Sequence, residues 1–358
     1  KLLKNYPINV LLLTGKDKGK IRLEKNSLIK EGKVQIVIGT HALIQDDVSF
    51  KSIGLVVIDE QHRFGVYQRM AFSYKGFKPS ILVMSATPIP RTLSLAAYGD
   101  MDESRITEKP QGRLEIKTTS LSFSNEEKLI ERLKLKLMTN EKVYWICPLV
   151  EESEELDLKA ATIRYEHLNK IFKNKVLLIH GRLKEKEKEL IMENFQNQDY
   201  KILVATTVIE VGIDIKEATS IIIEHAERFG LAQLHQLRGR VGRNNLQSSC
   251  VLLHKNTLGE NAKRRINKMK ETNDGFKIAE EDLDIRGAGE VLGRRQSGLP
   301  SFKIADLSCD SDLLEDAREN VLKIIKDNPK LINQSGESLK NLLYLFERDV
   351  AIKTLLAG

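Results

Sequence analysis

The chain has 358 residues, of which 41% are apolar, so it is long enough for two globular domains and a smaller third element. No apolar run approaches the ~18 residues that a membrane-spanning helix needs, and no apolar stretch with a cleavage site follows the polar start, so we expect neither a membrane span nor a signal peptide. The formal charge of +7 permits a polyanionic partner but is too modest to establish one.

Short runs rich in Val and Ile alternate with helical patterns along the chain. A helical face is formed, for example, by Leu183, Leu190, Ile191 and Phe195. Buried parallel strands are predicted at 35–39, 55–59, 81–85, 143–147, 176–180, 202–205, 220–224 and 250–254. Strands that alternate with helices predict α/β domains with parallel sheets.

The strands fall into two sets, divided by a loop-like stretch at 109–112, and they stop after His254. We therefore predict a first domain at 1–110, a second at 111–257, a helical and Gly-rich element at 258–310, and helices at 311–358. The cysteines, Cys147, Cys250 and Cys309, lack metal-ligand spacing and fit a reducing cytosol.

Two adjacent carboxylates, Asp59 and Glu60, end a predicted buried strand, and His62 follows. Parallel sheets place their ligands at the carboxyl ends of the strands. One carboxylate there can hold Mg²⁺ through its waters, while its neighbour polarises an attacking water. Turns often carry such pairs too, so the motif is weak by itself.

Small hydroxyl residues follow two other predicted strands. Ser85 and Thr87, on either side of Ala86, can hydrogen-bond the acidic motif through their hydroxyls, although a plain strand exit with prolines is the simpler interpretation. Thr206 and Thr207 can offer hydroxyls and amides to a phosphate backbone at a helix N-terminus, or can simply cap a helix. Farther on, Asp214, after Gly212, can accept a hydrogen bond from a ribose hydroxyl.

Arg240 and Arg243 follow Gln236 and are three residues apart, so we expect them to share a helix face. Two guanidiniums aimed across an interdomain cleft would stabilise a transferring phosphoryl group, which is worth roughly 10³ to 10⁵ in rate. The alternative is that these arginines form a cluster on the protein surface without a catalytic role. Basic runs at 16–25 and 263–270 are each either a solvated helix face or a DNA contact.

These motifs, in this order, resemble the superfamily-two helicases, and residues 59–65, 85–93, 233–243, 273–280 and 292–298 resemble the RecG family. The resemblance implies two RecA-like domains, followed by a helical hairpin and loop that convert motor closure into translocation. It implies a bacterial, cytoplasmic DNA helicase that uses ATP and Mg²⁺. It further implies that the partner is branched duplex DNA at stalled forks and recombination junctions. It implies no association with a membrane, and a parent protein that is monomeric.

The resemblance also implies roles for individual residues. Catalysis is implied for Asp59, Glu60, His62, Arg240 and Arg243; coupling for Ser85, Ala86, Thr87 and Gln236; ATP binding for Gly212 and Asp214; and DNA binding for Thr40, His41, Thr206, Thr207, Arg286 and Gln296.

One departure from the family is the P-loop, which requires Gly, four residues, Gly, Lys and then Ser or Thr. The nearest candidate, at 15–21, has one residue too few between its glycines, and Ile21 has no hydroxyl. We do not expect it to follow a strand and open a phosphate cradle. We therefore expect an incomplete first domain without wedge domain or P-loop, apolar surface exposed around Val57 and Val83, and no activity from this chain by itself.

A second departure is Gly287-Ala288-Gly289, where RecG usually has Gly-Pro-Gly and the transcription-repair coupling factor tends to have Ala. Two alternatives stay open, of which only the first is suggested by this departure. One is a coupling-factor translocase whose partner is RNA polymerase, and the other is a non-catalytic DNA-binding remnant.

Overall fold

The computed structural model describes residues 3, 5–60, 79–86, 102–108, 112–139, 141–148, 154–206, 215, 217–286, 304–305 and 310–346. The chain divides into two compact units, residues 1–86 with 294–299 and residues 87–293 with 300–358. None of the helices in the described ranges is both long and apolar enough to cross a membrane. The domain boundaries expected from the sequence stay predictions.

The described part of the first unit contains two small parallel sheets. β1 (Val10–Leu13) pairs with β2 (Ile36–Gly39), and helix α1 (Gly19–Glu31) connects them. β3 (Leu55–Ile58) pairs with β4 (Ser80–Val83). Leu13 and Ile29 lie in one small core and Val56 and Ile58 in another, and Leu43 packs against both.

The opposite faces of these small sheets are apolar and open to solvent. Leu12 is 56% exposed, Val57 52% and Leu82 50%. Parallel sheets are usually covered on both faces, so this exposure is uncommon for the architecture. It agrees with the apolar surface expected around Val57, whereas Val83 itself is half-buried.

The second unit is built on one six-stranded, all-parallel sheet of order β5-β10-β9-β6-β8-β7. Its strands are β5 (Lys117–Ser122), β6 (Lys142–Ile146), β7 (Val176–Ile179), β8 (Ile202–Ala205), β9 (Ala218–Ile223) and β10 (Ser249–His254). Every residue of β6, β8 and β9 is buried, because helices cover both faces. This arrangement confirms the α/β class with parallel sheets.

The helices of the second unit sort onto the two faces of that sheet. One face packs on α2 (Glu126–Lys136) and α3 (Glu154–Ile171), where Trp145 is fully buried. The other packs on α4 (Glu185–Asn197), α5 (Leu231–Arg238), α6 (Glu260–Glu271) and α7 (Gly275–Arg286). Two further helices, α8 (Ser311–Asp327) and α9 (Gln334–Leu345), expose large apolar side chains such as Leu313 and Leu345.

Candidate functional site

The acidic motif and the small hydroxyl motif of the first unit lie at the same sheet edge. β3 and β4 run parallel with Ile58 opposite Val83, and the carbonyl of Ile58 accepts a hydrogen bond of 2.8 Å from the amide of Met84. Asp59-Glu60 and Ser85-Ala86 therefore leave the sheet side by side. The structure brings these two predicted groups together.

The backbone turns sharply directly after Asp59. Glu60 has a φ of 52°, and its N–H donates to Oδ1 of Asp59 at 2.9 Å. A left-handed backbone costs a residue with a side chain roughly 1 kcal/mol or more, and the hydrogen bond from the Glu60 amide offsets part of that cost. The turn leaves Asp59 exposed and Glu60 half-buried. Carboxylate oxygens are the ligands that a hydrated Mg²⁺ prefers, so the donor set fits that ion.

Thr40 and His41 leave the other small sheet, at the end of β2. A side chain at Gly39 would place its Cβ 2.3 Å from the carbonyl oxygen of Leu13, so only glycine fits there. Thr40 then precedes a short 3₁₀ turn (His41–Leu43), and its side chain makes no capping hydrogen bond. Both Thr40 and His41 are exposed.

The basic stretch at 15–21 follows β1, and its last three residues begin α1, so the expectation that it does not follow a strand is wrong. The expectation that it opens no phosphate cradle is not contradicted. The interior of this stretch is occupied by Asp17, which accepts from the amide of Thr14 at 2.7 Å and pairs with Nζ of Lys25 at 2.6 Å. The hydrogen bond from Lys25 is the main cause that lowers the pKa of Asp17. A carboxylate in that position would repel a phosphate. It also accepts a hydrogen bond from a backbone amide, and phosphate-binding loops need such amides to be available to the phosphate.

In the second unit, Thr206 and His180 follow neighbouring strands, since Ile179 of β7 lies opposite Ala205 of β8. Thr206 is only 2% exposed, so its hydroxyl is buried and not presented at the surface as expected. No other described residue hydrogen-bonds Oγ1 of Thr206 or Nδ1 of His180. Burial lowers the pKa of His180, and the positive charges of Lys188 and Arg182 act in the same direction.

Arg240 and Arg243 do not share a helix face, because α5 ends at Arg238. Two glycines interrupt the helical pattern there, and Gly242 adopts a φ of 75°. The resulting loop is anchored by Val241, which is fully buried. Arg240 is half-buried, while Arg243 is exposed and donates through Nε to the carbonyl of Gly239 at 3.3 Å. Gln236 lies half-buried on α5.

Arg238, which the sequence did not single out, is 2% exposed at the end of α5. It donates to the carbonyls of Met269 at 2.8 Å and Thr272 at 2.9 Å, at the end of α6. Its other terminal nitrogen lies 3.0 Å from Nδ1 of His235. Burial, and then the charge of Arg238, lower the pKa of His235 to about 4. Arg238 continues the buried row of Leu231 and Leu234, and this spacing is the signal that could have identified it.

The basic run on α6 is largely engaged within the protein. Arg264 and Lys268 both pair with Glu281 of α7, at 2.7 and 3.2 Å. Arg265 donates to the carbonyl of Glu227 at 2.9 Å. Lys263 and Lys270 are exposed, so they remain the candidates of this run for a DNA contact.

The remaining predicted residues cannot be placed. His62, Thr87, Thr207, Gly212, Asp214 and Gln296 lie outside the described residues, as does the side chain of Arg286, whose backbone ends α7. Within the described ranges, no group of three or more His, Cys, Asp or Glu side chains is arranged to hold a metal ion. A cation bound mainly through its own waters does not need such a group.

Three family profiles match successive parts of the chain. Residues 1–95 match the DEAD/DEAH box helicase profile, and residues 125–245 match the helicase conserved C-terminal domain. Residues 272–348 match the profile described as ATP-dependent DNA helicase RecG, domain 3, C-terminal.

Individual relatives agree with these profiles. The chain is 50% identical over 352 residues to the ATP-dependent DNA helicase RecG of Aquifex aeolicus, covering 96% of this chain and 44% of the relative. It is 47% identical to the Escherichia coli K12 protein of the same name, and the match covers 87% of this chain and 46% of that relative. A solved structure of RecG bound to a three-way DNA junction is 43% identical, with a TM-score of 0.64, over 88% of this chain and 40% of that one. The chain thus spans less than half the length of these relatives.

Proposed function

Because this chain belongs to the RecG family, we propose that it forms the motor core of an ATP-dependent helicase acting on branched DNA in the bacterial cytoplasm. The observation that carries the proposal is the shared sheet edge of Asp59-Glu60 and Ser85-Ala86. Acidic and hydroxyl groups at the carboxyl end of parallel strands suit a metal-bound nucleotide and a sensor of its state.

The acidic pair has two roles in this proposal. Asp59 is exposed and would hold Mg²⁺ through its waters, while the half-buried Glu60 would orient the attacking water. Mg²⁺, when bound, neutralises charge that develops on the phosphates. Ser85, with Ala86 and Thr87, would transmit the loss of the γ-phosphate, because a hydroxyl beside the carboxylates can exchange hydrogen bonds with them.

Arg240 and Arg243 would stabilise negative charge on the transferring phosphoryl group. Their loop is suited to this role, because buried Val241 fixes its backbone while Arg243 stays exposed. Gln236 would contribute from α5, and Gly212 and Asp214 would contact the nucleotide.

DNA would be held mainly through its phosphate backbone. Exposed Thr40 and His41 lie at one sheet edge of the first unit, and exposed Lys263 and Lys270 lie on α6. Thr207, Arg286 and Gln296 complete the proposed contacts by their match to the family. Thr206 would take part only through its backbone, since its hydroxyl is buried.

The test is hydrolysis of ATP by a chimaera that joins the preceding part of the Aquifex aeolicus relative to this chain. We expect DNA-stimulated phosphate release, and a loss of at least roughly a hundredfold in Glu60→Gln. Glu24→Gln is the matched control, because Glu24 is exposed on α1. A chimaera that folds and hydrolyses ATP equally well with Glu60→Gln would refute the assignment of the acidic pair.

A further inference from the structure

The segment that leads into β5 is fastened along its length to the loop that carries Arg240 and Arg243. Nε of Arg113 donates to the carbonyl of Gly242 at 2.7 Å. Nε2 of Gln247 donates to the carbonyl of Glu115 at 2.8 Å. The pairing continues into the sheet, where the amide of Lys117 donates to the carbonyl of Ser248 at 3.0 Å.

The contact at Gly242 falls at the point where the loop reverses direction. Gly242 has a φ of 75°, and a Cβ there would lie 2.9 Å from Cγ1 of Ile116. The loop therefore needs glycine both for its backbone conformation and for its close approach to the segment at 112–116. Glycine has no Cβ to restrict its backbone, so a side chain that holds the Gly242 carbonyl helps to fix the direction in which the chain leaves the turn.

Arg113 is suited to hold that carbonyl. It is half-buried, and a charged donor to a main-chain carbonyl makes a stronger hydrogen bond than a neutral one. Arg113 precedes the sheet by only a few residues, so β5 limits how far its own backbone can move. The accepting carbonyl belongs to the residue directly before Arg243, so the orientation of that peptide sets where the Arg243 side chain begins.

We infer that Arg113 is a positioning residue for the loop that bears Arg240 and Arg243. The inference rests on the role proposed above for these two arginines, and it assigns Arg113 no contact with nucleotide or DNA. Arg113 holds the Gly242 peptide in one orientation. This limits the number of conformations that the loop adopts, and so fixes the positions from which the two guanidiniums extend. Preorganisation of this kind matters because charge stabilisation in a transition state depends on groups already in place.

Hydrogen–deuterium exchange of the 358-residue chain tests the inference directly. The amides of Gly239 and Arg240 report on the loop, because they donate to His235 and Leu237. In Arg113→Met we expect exchange across 239–247 to rise roughly tenfold or more, while exchange in β6 stays unchanged. Arg113→Lys, which keeps a charged donor, should exchange more slowly than Arg113→Met. Arg132→Met, an exposed position on α2, is the control and should resemble the unaltered chain.

Three results would overturn the inference: loop exchange in Arg113→Met equal to that of the unaltered chain, an equal rise in the loop and in β6, or equal exchange in the Met and Lys variants. The second result would mean that Arg113 supports the whole unit and not the loop. The measurement needs no ATP, so its outcome is separate from that of the proposed function. Unchanged hydrolysis in Arg243→Ala of the chimaera would remove the role of the loop, even if Arg113 is shown to hold it.

Discussion

The guanidinium of Arg238 lies 2.8 Å from the main-chain carbonyl oxygen of Met269, so the last residue of α5 is fastened to the last turn of α6. Helix ends leave carbonyls without partners within the helix, and here a buried cation supplies the missing donors. The residues next to the proposed catalytic loop are thereby joined to α6 and to Thr272, the first residue that the RecG-specific profile covers.

Removal of this guanidinium should destabilise the second unit. Arg238→Met leaves the carbonyls of Met269 and Thr272 buried without their donor, which should lower the free energy of unfolding by roughly 2–4 kcal/mol. Urea titration followed by the fluorescence of Trp145, which is buried in the same unit, measures the change. Arg132→Met should change it by less than ~0.5 kcal/mol. A loss as small as this in Arg238→Met would show that water replaces the guanidinium.

The stability of the second unit should fall as the solution is acidified through the range of His235. The pKa of His235 is lowered to about 4 in the folded chain, from an ordinary value of 6.5. Below pH 6.5 the unfolded chain therefore takes up a proton that the folded chain does not, and stability is lost as the pH falls towards 4. Between pH 6.5 and 5 this amounts to roughly 1–2 kcal/mol.

Urea titrations at several pH values, with His235→Gln as the comparison, isolate this contribution from that of the carboxylates. The Gln variant should lose less stability over the same interval. Parallel pH profiles for the two proteins would show that His235 is not the group responsible.

The 358-residue chain should bind Mg-ATP only weakly. Its sequence contains no Gly, four residues, Gly, Lys and Ser or Thr, and its nearest substitute holds the carboxylate of Asp17 against the amide of Thr14. Isothermal titration should therefore detect no binding in the micromolar range. Micromolar affinity would mean that the turn between β1 and α1 binds phosphate despite Asp17.

Duplex binding by the chain should depend steeply on salt, and the two exposed lysines of α6 should account for part of that dependence. Each phosphate neutralised contributes about −0.9 to the slope of log affinity against log salt. The double variant with Lys263→Ala and Lys270→Ala should therefore make the slope less negative by up to about 2. Arg264→Ala should leave the slope nearly unchanged, because Arg264 already pairs with Glu281. Equal slopes for the double variant and the unaltered chain would place the DNA contacts elsewhere.

The sequence was sufficient for the two RecA-like units and for the positions of most of their strands. All eight predicted strands are present, and runs such as that at 202–205 are buried on both faces of a parallel sheet, as expected. The three in the first unit, β2, β3 and β4, were also expected to be buried, but none of them is covered on both faces. β5 was missed, since it is an edge strand of the sequence Lys-Thr-Thr-Ser-Leu-Ser and lacks such a run. β1 was missed although Val10–Leu13 is apolar, because three of its four residues are Leu, which favours helix, whereas the predicted strands were recognised by their Val and Ile content.

The candidate site was less predictable. The pattern placed Asp59 and Ser85 at strand ends, and the parallel register of β3 and β4 brings them to one edge. The expectation that Arg240 and Arg243 share a helix face was wrong. A spacing of three residues predicts a shared face only within a helix, and here the helix ends before Gly239 and Gly242. Arg238 was overlooked for a different reason. Partners distant in sequence, Met269 and Thr272, decide that it is buried.

The open faces of β1–β2 and β3–β4 bear on the thermal behaviour of the first unit. The heat-capacity change on unfolding comes mainly from apolar surface that is newly brought into contact with water. Leu12, Val57 and Leu82 are already half exposed in the folded chain, so this unit gains less such contact per residue than the second. Calorimetry should therefore record a broad, shallow transition with a small heat-capacity step, separate from the sharper melting of the sheet around Trp145.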